Sequence, residues 1–254
     1  MSDDPPSHDL AGKHPALAGP TAGAQAPDSL GGDPARCGGE HGLREGTCAG
    51  GEDSRDTRPD RATRYLETSL GILSYSELAP LLSDRVTAVE ADLVKGAFAS
   101  SPLDEVFILD LHRRIAGDLV PDWARRWRDI AVTVGRLEPP PPYQIPVLMR
   151  DYARDMQARW PEATTEKSDL LLELLAFAEG RFLAIHPFRD FNGRTIRVFL
   201  LEILRRLDLP RVQLAPQSNA GRVEYFTALE AADSHDWQPL AAIWQHRLTE
   251  ARTD

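Results

Sequence analysis

The segment from His186 to Arg197, which reads HPFRDFNGRTIR, limits what this chain of 254 residues can fold into more than any other stretch. An apolar stripe at helical spacing precedes it, made of Leu170, Leu171, Leu174, Leu175, Ala178 and Phe182. A second helical pattern follows, made of Val198, Leu201, Ile203, Leu204 and Leu207. Because the residue before a proline is pushed out of the α region, Pro187 predicts that the first helix ends near Ile185. The second pattern stops before Pro210, so the sequence predicts two buried helices joined by a short loop.

The side chains of this loop suit the binding of a polyphosphate. Asn192 can serve as the N-cap of the second helix, and Gly193 allows a ligand to approach its first turn. The free N–H groups and the positive dipole end of such a turn attract anions. Arg194 and Arg197 lie three residues apart and can face the same anion. Asp190 offers the hard oxygen ligand with which Mg2+ is held against phosphates.

Each of these features also has an ordinary structural explanation. A histidine at a helix end commonly caps the helix or packs in the core, and an arginine pair three residues apart is commonly solvated. We prefer the functional interpretation because the features occur together in one short segment between two apolar helices. His186 adds an imidazole that accepts a proton near neutral pH, so the segment predicts an enzyme.

The segment resembles the signature of the Fic-domain family, HxFx(D/E)GNGRxxR, with Phe191 in place of the first glycine. The resemblance extends over roughly residues 63–246. Three further blocks occur in the family's order, at residues 112–129, 127–149 and 222–240. The resemblance implies an all-α fold, a Fic-type helical bundle with a short β-hairpin flap, and the composition described below adds a disordered N-terminal tail before it.

The resemblance also implies an activity, which is the transfer of AMP from ATP to a Ser, Thr or Tyr hydroxyl of a target protein. His186 is then the general base that takes the hydroxyl proton. Asp190 is expected to coordinate Mg2+ between the α- and β-phosphates. The phosphate-binding residues implied by the family are Asn192, Gly193, Arg194 and, for the terminal phosphate, Arg197.

Phe191 leaves the identity of the donor open. A Phe with positive φ is strained, and its side chain is expected to crowd a bound nucleotide. The alternatives are that Phe191 is a nucleotide-binding residue that stacks on the base, or that it excludes the usual donor pose. Family members that vary here include phosphocholine transferases, and the related Doc proteins phosphorylate their target. The alternatives are therefore a phosphotransferase, a transferase with another nucleotide or phosphodiester donor, and a non-catalytic nucleotide-binding regulator. The intact His186 disfavours the regulator, and Gly193 disfavours the kinase because a Doc-like kinase has Lys there.

The flap is expected beside this site. Residues 129–134 alternate between apolar and other side chains, which is typical of a short strand. Gly135 permits a turn, and the prolines at 139–142 prevent further pairing. A strand with an exposed edge can receive an extended target segment. We expect the docking edge to consist of Val132, Thr133 and Val134, although an ordinary surface hairpin is the alternative.

Thr63 to Glu67 resembles the inhibitory helix of autoinhibited Fic proteins, (S/T)xxxE(G/N). In that subclass the glutamate pairs with the last arginine of the signature, here Arg197, and blocks the terminal phosphate. Thr68 stands where the subclass has Gly or Asn, and the pattern is frequent by chance. Inhibition by Glu67 and an ordinary helix start are therefore both open.

Composition divides the chain into three parts. Residues 1–60 are rich in Gly, Pro and Asp, a composition that does not offset the entropy of ordering and predicts disorder. Residues 61–94 are expected to be an N-terminal helical segment that carries the candidate inhibitory helix. Residues 95–250 are expected to form the Fic domain.

Charge and hydropathy exclude several classes of partner. The net charge of −10 argues against nonspecific nucleic-acid binding, which needs clustered Lys and Arg. The local exception is a basic cluster, which we interpret as a solvated helix face, with contact to an acidic target as the alternative: Arg113, Arg114, Arg125, Arg126 and Arg128. No apolar run is long enough to span a membrane, and no secretory signal pattern is present. We expect a cytoplasmic protein, and a homodimer is left open.

Overall fold

The computed structural model describes residues 64–163 and 168–253, so the predicted tail and Thr63 lie outside the described part. That part holds a two-stranded antiparallel sheet and seven α-helices. The strands are β1 (Tyr65–Thr68) and β2 (Gly71–Ser74). The helices are α1 (Tyr75–Val94), α2 (Glu105–Ala116), α3 (Ile145–Arg159), α4 (Ser168–Ile185), α5 (Asn192–Arg206), α6 (Asn219–Asp233) and α7 (Gln238–Glu250).

Helix α4 is the centre of the bundle and packs against α3, α5, α6 and α7. Its predicted apolar stripe is buried apart from Leu170, which is exposed. Gly180 permits the close approach of the last two helices, since an added Cβ would lie 2.8 Å from the Cβ of Ala232. The predicted end of this helix near Ile185 is confirmed, and packing on several sides fixes where that end lies.

Helix α5 packs against α1, α2 and α4, and it ends before Pro210 as predicted. Its buried face includes Ile196, Phe199 and Ile203. The loop between α4 and α5 therefore lies between two helices that the core holds in place. The predicted all-α bundle is confirmed.

The N-terminal segment begins with a hairpin and not with the predicted helix. Tyr65 lies opposite Ser74, and Thr68 lies opposite Gly71, whose φ of 102° forms the turn. The Thr68 hydroxyl donates a hydrogen bond to the Gly71 carbonyl over 2.7 Å. Ser74 then caps α1 in a capping box with Glu77. The helical prediction is wrong for residues 65–74, because this segment pairs with itself, and right for 75–94.

The flap contains a hairpin turn, but the predicted strand over 129–134 is not formed. A single antiparallel bridge joins Val134 and Leu137, whose backbone groups exchange hydrogen bonds of 3.0 and 2.9 Å around Gly135. The Ile130 carbonyl accepts a hydrogen bond from the Arg128 side chain and not from a partner strand. A short 3-10 turn, Pro142–Gln144, then leads into α3.

None of the helices in the described ranges combines the length and the apolar character that crossing a bilayer requires.

Candidate active site

The loop between α4 and α5 contains two residues with positive φ, His186 at 49° and Phe191 at 62°. The side-chain amide of Asn192 holds the loop closed, because its Oδ1 accepts from the Phe188 N–H and its Nδ2 donates to the Phe188 carbonyl, each over 2.9 Å. Asn192 is buried and is the first residue of α5. The prediction that Asn192 is the N-cap is therefore wrong, since Phe191 occupies that position and the amide is used inside the loop.

His186 follows the last residue of α4 and is half-buried. Burial lowers the pKa of its imidazole to about 4; a hydrogen bond to the Leu183 carbonyl raises it, and the charge of Arg128 lowers it further. The Nδ1 atom lies 3.4 Å from the Leu183 carbonyl oxygen, so the proton of the neutral ring is best placed on Nδ1. The Nε2 lone pair is then the proton acceptor at neutral pH.

Asp190 presents its carboxylate beside the first turn of α5. Its Oδ1 accepts the Phe191 N–H over 2.7 Å, and its Oδ2 lies 3.1 Å from Nη2 of Arg64. The guanidinium of Arg64 also lies over the ring of Tyr75, 4.8 Å from its centre. Arg64 was missed by sequence reasoning, because no motif includes it and only the fold brings the start of the hairpin to Asp190.

A cleft of about 540 Å3 opens between α1 and the start of α5. Arg194 and Arg197 line one side, and the α1 side consists of Ala79, Pro80, Ser83, Val86, Thr87 and Glu90. Burial lowers the pKa of the Arg194 guanidinium, and the nearby charge of Arg197 lowers it further. Within the described ranges, the backbone N–H groups of Asn192 and Gly193 have no hydrogen-bond acceptor. The arrangement is therefore electropositive and suited to an anion.

The side chain of Phe191 lies in the core and not in this cleft. It is 3% exposed, and its ring stacks on Trp123 with centres 5.7 Å apart and planes 20° apart. The expectation that this side chain would crowd or select a nucleotide is therefore wrong. The left-handed backbone turns the Cβ away from the cleft and into the aromatic cluster behind the loop.

His112 of α2 supports the loop from behind and was also missed. Its ring stacks on Phe188 at 3.8 Å, nearly parallel. Its Nδ1 accepts the Arg125 N–H over 3.2 Å, so Nε2 carries the proton and donates to the Asp190 carbonyl over 3.3 Å. Burial lowers the pKa of His112 to about 4. The one signal in the sequence was its position at the start of the family-like block 112–129.

The inhibitory pair is not formed in the described structure. Glu67 lies on β1 and is exposed, and no ion pair among the residues that the structure describes joins it to Arg197. The predicted inhibitory helix at 63–67 is therefore wrong for the described residues of that segment. In the flap, Thr133 and Val134 are exposed and Val132 is half-buried.

The loop geometry and the helical bundle agree with the family comparison. Residues 102–204 match the Fic/DOC family. This segment of the chain, which contains α2 to most of α5, is thus similar to the Fic domain.

Relatives of this chain include named enzymes. It is 33% identical over 133 residues to the protein adenylyltransferase fic-1 of Caenorhabditis elegans, covering 52% of this chain and 25% of that protein. The solved structure of Fic-1 (residues 134–508) from C. elegans is similar with a TM-score of 0.51 and 26% identity, over 66% of this chain and 48% of that one. BepC of Bartonella tribocorum, solved with bound AMPPNP, has the same fold, with a TM-score of 0.56 and 17% identity. The match covers 74% of this chain and 93% of BepC. The chain spans about a quarter of the length of the curated relatives it matches.

Proposed function

We propose that this protein transfers AMP from ATP to a hydroxyl side chain of a target protein. The observation that carries the proposal is the loop between α4 and α5, which has a neutral imidazole at one end and an electropositive helix start at the other. The relatives named protein adenylyltransferase support the same chemistry.

His186 acts as the general base. Its Nε2 takes the proton from the target hydroxyl while the hydroxyl oxygen bonds to the α-phosphorus. The bond from that phosphorus to the bridging oxygen breaks, and pyrophosphate leaves with the electron pair. Burial keeps the imidazole neutral at physiological pH, so the base is ready without a prior proton transfer.

The start of α5 stabilises the charge that moves onto the phosphates. The backbone N–H groups of Asn192 and Gly193 point out of the first turn, and Arg194 stands beside them. Arg197 holds the terminal phosphate in the cleft against α1. The side chain of Asn192 has a structural role, because its two hydrogen bonds to the Phe188 backbone stabilise the loop conformation.

The residues present fit Mg2+ when it arrives with the nucleotide. No cluster of three or more His, Cys, Asp or Glu side chains in the described ranges can hold a metal unaided. Mg2+ commonly binds through one or two carboxylates together with substrate phosphates, and Asp190 beside the phosphate site supplies such a carboxylate. When bound, the ion would neutralise charge on the phosphates.

The flap is the proposed docking site for the target. Val134 and Thr133 are exposed beside half-buried Val132, and the short bridge to Leu137 leaves the rest of the segment without a partner strand in the described structure. An extended target segment is held there by backbone hydrogen bonds. A cytoplasmic location and a homodimer belong to the same proposal.

Intact-mass spectrometry tests the proposal. The purified protein is incubated with Mg2+ and, separately, ATP, GTP, CTP and UTP, and self-modification reports the group transferred. We expect an AMP adduct with ATP, its loss in His186→Ala, and its retention in the control His246→Ala, whose side chain is exposed on α7. An adduct of phosphate alone would instead indicate a phosphotransferase, and nucleotide binding without any adduct would indicate a regulator.

A further inference from the structure

Arg128 is a buried cation that bonds only to backbone. It is 2% exposed, and no carboxylate among the described residues pairs with it. Its prediction as part of a solvated helix face is therefore wrong. A buried charge without a counter-ion is costly unless its donors are all used, and here burial lowers the pKa of the guanidinium.

The donors of Arg128 are used on two segments that are far apart in the sequence. Its Nε donates to the His186 carbonyl over 2.8 Å, and Nη2 reaches the Ile185 carbonyl at 3.4 Å. Both are carbonyls that the end of α4 leaves unpaired, where a cation is favoured. Its Nη1 donates to the Ile130 carbonyl over 3.0 Å, and Nη2 also donates to the Pro140 carbonyl.

One guanidinium thus joins the backbone of the proposed base to both ends of the flap. The backbone N–H of Arg128 adds a fifth contact, to the Pro187 carbonyl over 2.8 Å. The backbone of His186 needs such support, because a non-glycine residue at a φ of 49° is strained. The contacts of Arg128 also stabilise the flap. Between Ile130 and Pro140 the described structure has one backbone pairing, which is the bridge from Val134 to Leu137.

We propose that Arg128 is a positioning residue that fixes the catalytic imidazole relative to the flap, so that a hydroxyl presented on the flap meets Nε2 of His186. The inference rests on the proposed function in one respect, namely that the flap presents the target hydroxyl. The coupling itself is a property of the fold and can be measured without any transfer reaction.

The charge of Arg128 gives a readout that a merely structural role would not move. Among the described residues, it is the one side-chain charge that affects the pKa of His186. Arg128→Met removes the charge and the hydrogen bonds. Arg128→Lys keeps the charge but loses the planar arrangement of guanidinium N–H donors that reaches both segments. Arg126→Met is the matched control, because Arg126 is an exposed neighbour whose side chain makes no hydrogen bond or ion pair with the loop among the described residues.

The experiment combines an NMR titration of the His186 ring with hydrogen exchange of the flap amides. We expect Arg128→Met to raise the pKa of His186 and Arg128→Lys to leave it unchanged. Both variants should exchange the amides of residues 130–138 about tenfold faster or more, which is the loss expected for a hydrogen bond to a charged group. Arg126→Met should change neither quantity, and ATP affinity by calorimetry should stay within about twofold in all three.

The coupling is overturned if flap exchange and the His186 titration are unchanged in both Arg128 variants. If neither variant folds, the wild-type protein still tests the inference. Its Arg128 Nε–H should then exchange with solvent as slowly as the core amides of α4, and rapid exchange overturns the inference. Because neither measurement uses transfer activity, failure of the proposed function would leave these outcomes readable.

Discussion

Two neutral imidazoles belong to the loop between α4 and α5 or pack against it: His186 begins the loop, and His112 stacks on Phe188 within it. Burial lowers the pKa of both His112 and His186 to about 4 from an ordinary value of 6.5. His186 contacts backbone through Nδ1 alone, whereas His112 is bonded to backbone at both ring nitrogens. Burial thus gives both residues the same charge state, and their hydrogen bonds distinguish them.

We expect His112 to make the protein sensitive to mild acid. Between pH 6.5 and 4 His112 is protonated in the unfolded chain but stays neutral in the folded state. The free energy of unfolding therefore falls as the pH drops. The full effect is about 3 kcal/mol for one group. Urea unfolding at pH 7 and pH 5 should show a smaller loss in His112→Gln than in wild type. The control His246→Gln should behave like wild type, and an unchanged loss in His112→Gln would contradict the assignment.

Phe191 allows the backbone and the side-chain contributions to be separated. Phe191→Ala should lower the free energy of unfolding by about 3–5 kcal/mol, because it removes a buried ring that stacks on Trp123. Phe191→Gly should lose about 1 kcal/mol less, since glycine adopts a φ of 62° without strain. ATP affinity should change little in both variants. A large gain in affinity on removing the ring would show that it faces the nucleotide.

At the scale of elements, the hairpin of β1 and β2 brings a cation to the proposed metal ligand. Arg64, just before β1, pairs with Asp190, whereas Glu67 on β1 is exposed. From the resemblance we expected a glutamate of this segment to contact an arginine of the site. The structure shows the reverse, an arginine of the segment in contact with an aspartate of the site. In the structure the segment competes for the carboxylate and not for the arginine.

Removing that cation should make Mg2+ easier to bind. We expect Arg64→Ala to lower the Mg2+ concentration needed for half-maximal ATP binding by about twofold to fivefold, the range for a solvent-exposed ion pair. Calorimetric titration of ATP at a series of Mg2+ concentrations measures it. Glu67→Gln should leave the Mg2+ dependence unchanged. An effect of Glu67→Gln on the Mg2+ dependence larger than that of Arg64→Ala would support Glu67 as the inhibitory residue.

The elements that could be predicted from sequence were those whose local pattern agrees with their packing. The ends of α4 and α5 follow from prolines and apolar spacing, and both are confirmed. The predicted flap strand did not form because an alternating segment needs a partner strand, and the one bridge that the described flap residues make joins Val134 to Leu137. The roles of Arg128 and His112 could not be predicted, because both bond to backbone atoms more than one helix away in the chain.

At the scale of the whole molecule, a buried ion pair links three helices behind the site. Glu179 of α4 accepts from Arg247 of α7 over 2.8 Å and from the Tyr225 hydroxyl of α6 over 2.7 Å. Arg247 also donates to the Leu214 carbonyl over 2.9 Å. The network holds the last two helices on the central one, and through it the position of the loop after α4.

Breaking this network should destabilise the whole fold. Glu179→Leu leaves the Arg247 charge buried without its partner, and we expect a loss of about 3–5 kcal/mol in the free energy of unfolding. The double variant Glu179→Leu with Arg247→Met should recover much of that loss. Tyr225→Phe, which removes one hydrogen bond, should cost about 1 kcal/mol. Chemical denaturation gives all three values, and additive losses in the double variant would contradict a direct pair.

The arrangement of α4 and α5 has an electrical consequence. One helix presents its negative pole at Ile185, and the other presents its positive pole at Asn192, across a single short loop. The loop therefore lies in a fixed field that points from the proposed phosphate site towards the imidazole. In the proposed reaction a proton moves along that field and electrons move against it, so each displacement of charge is favoured by an orientation that was set when the chain folded.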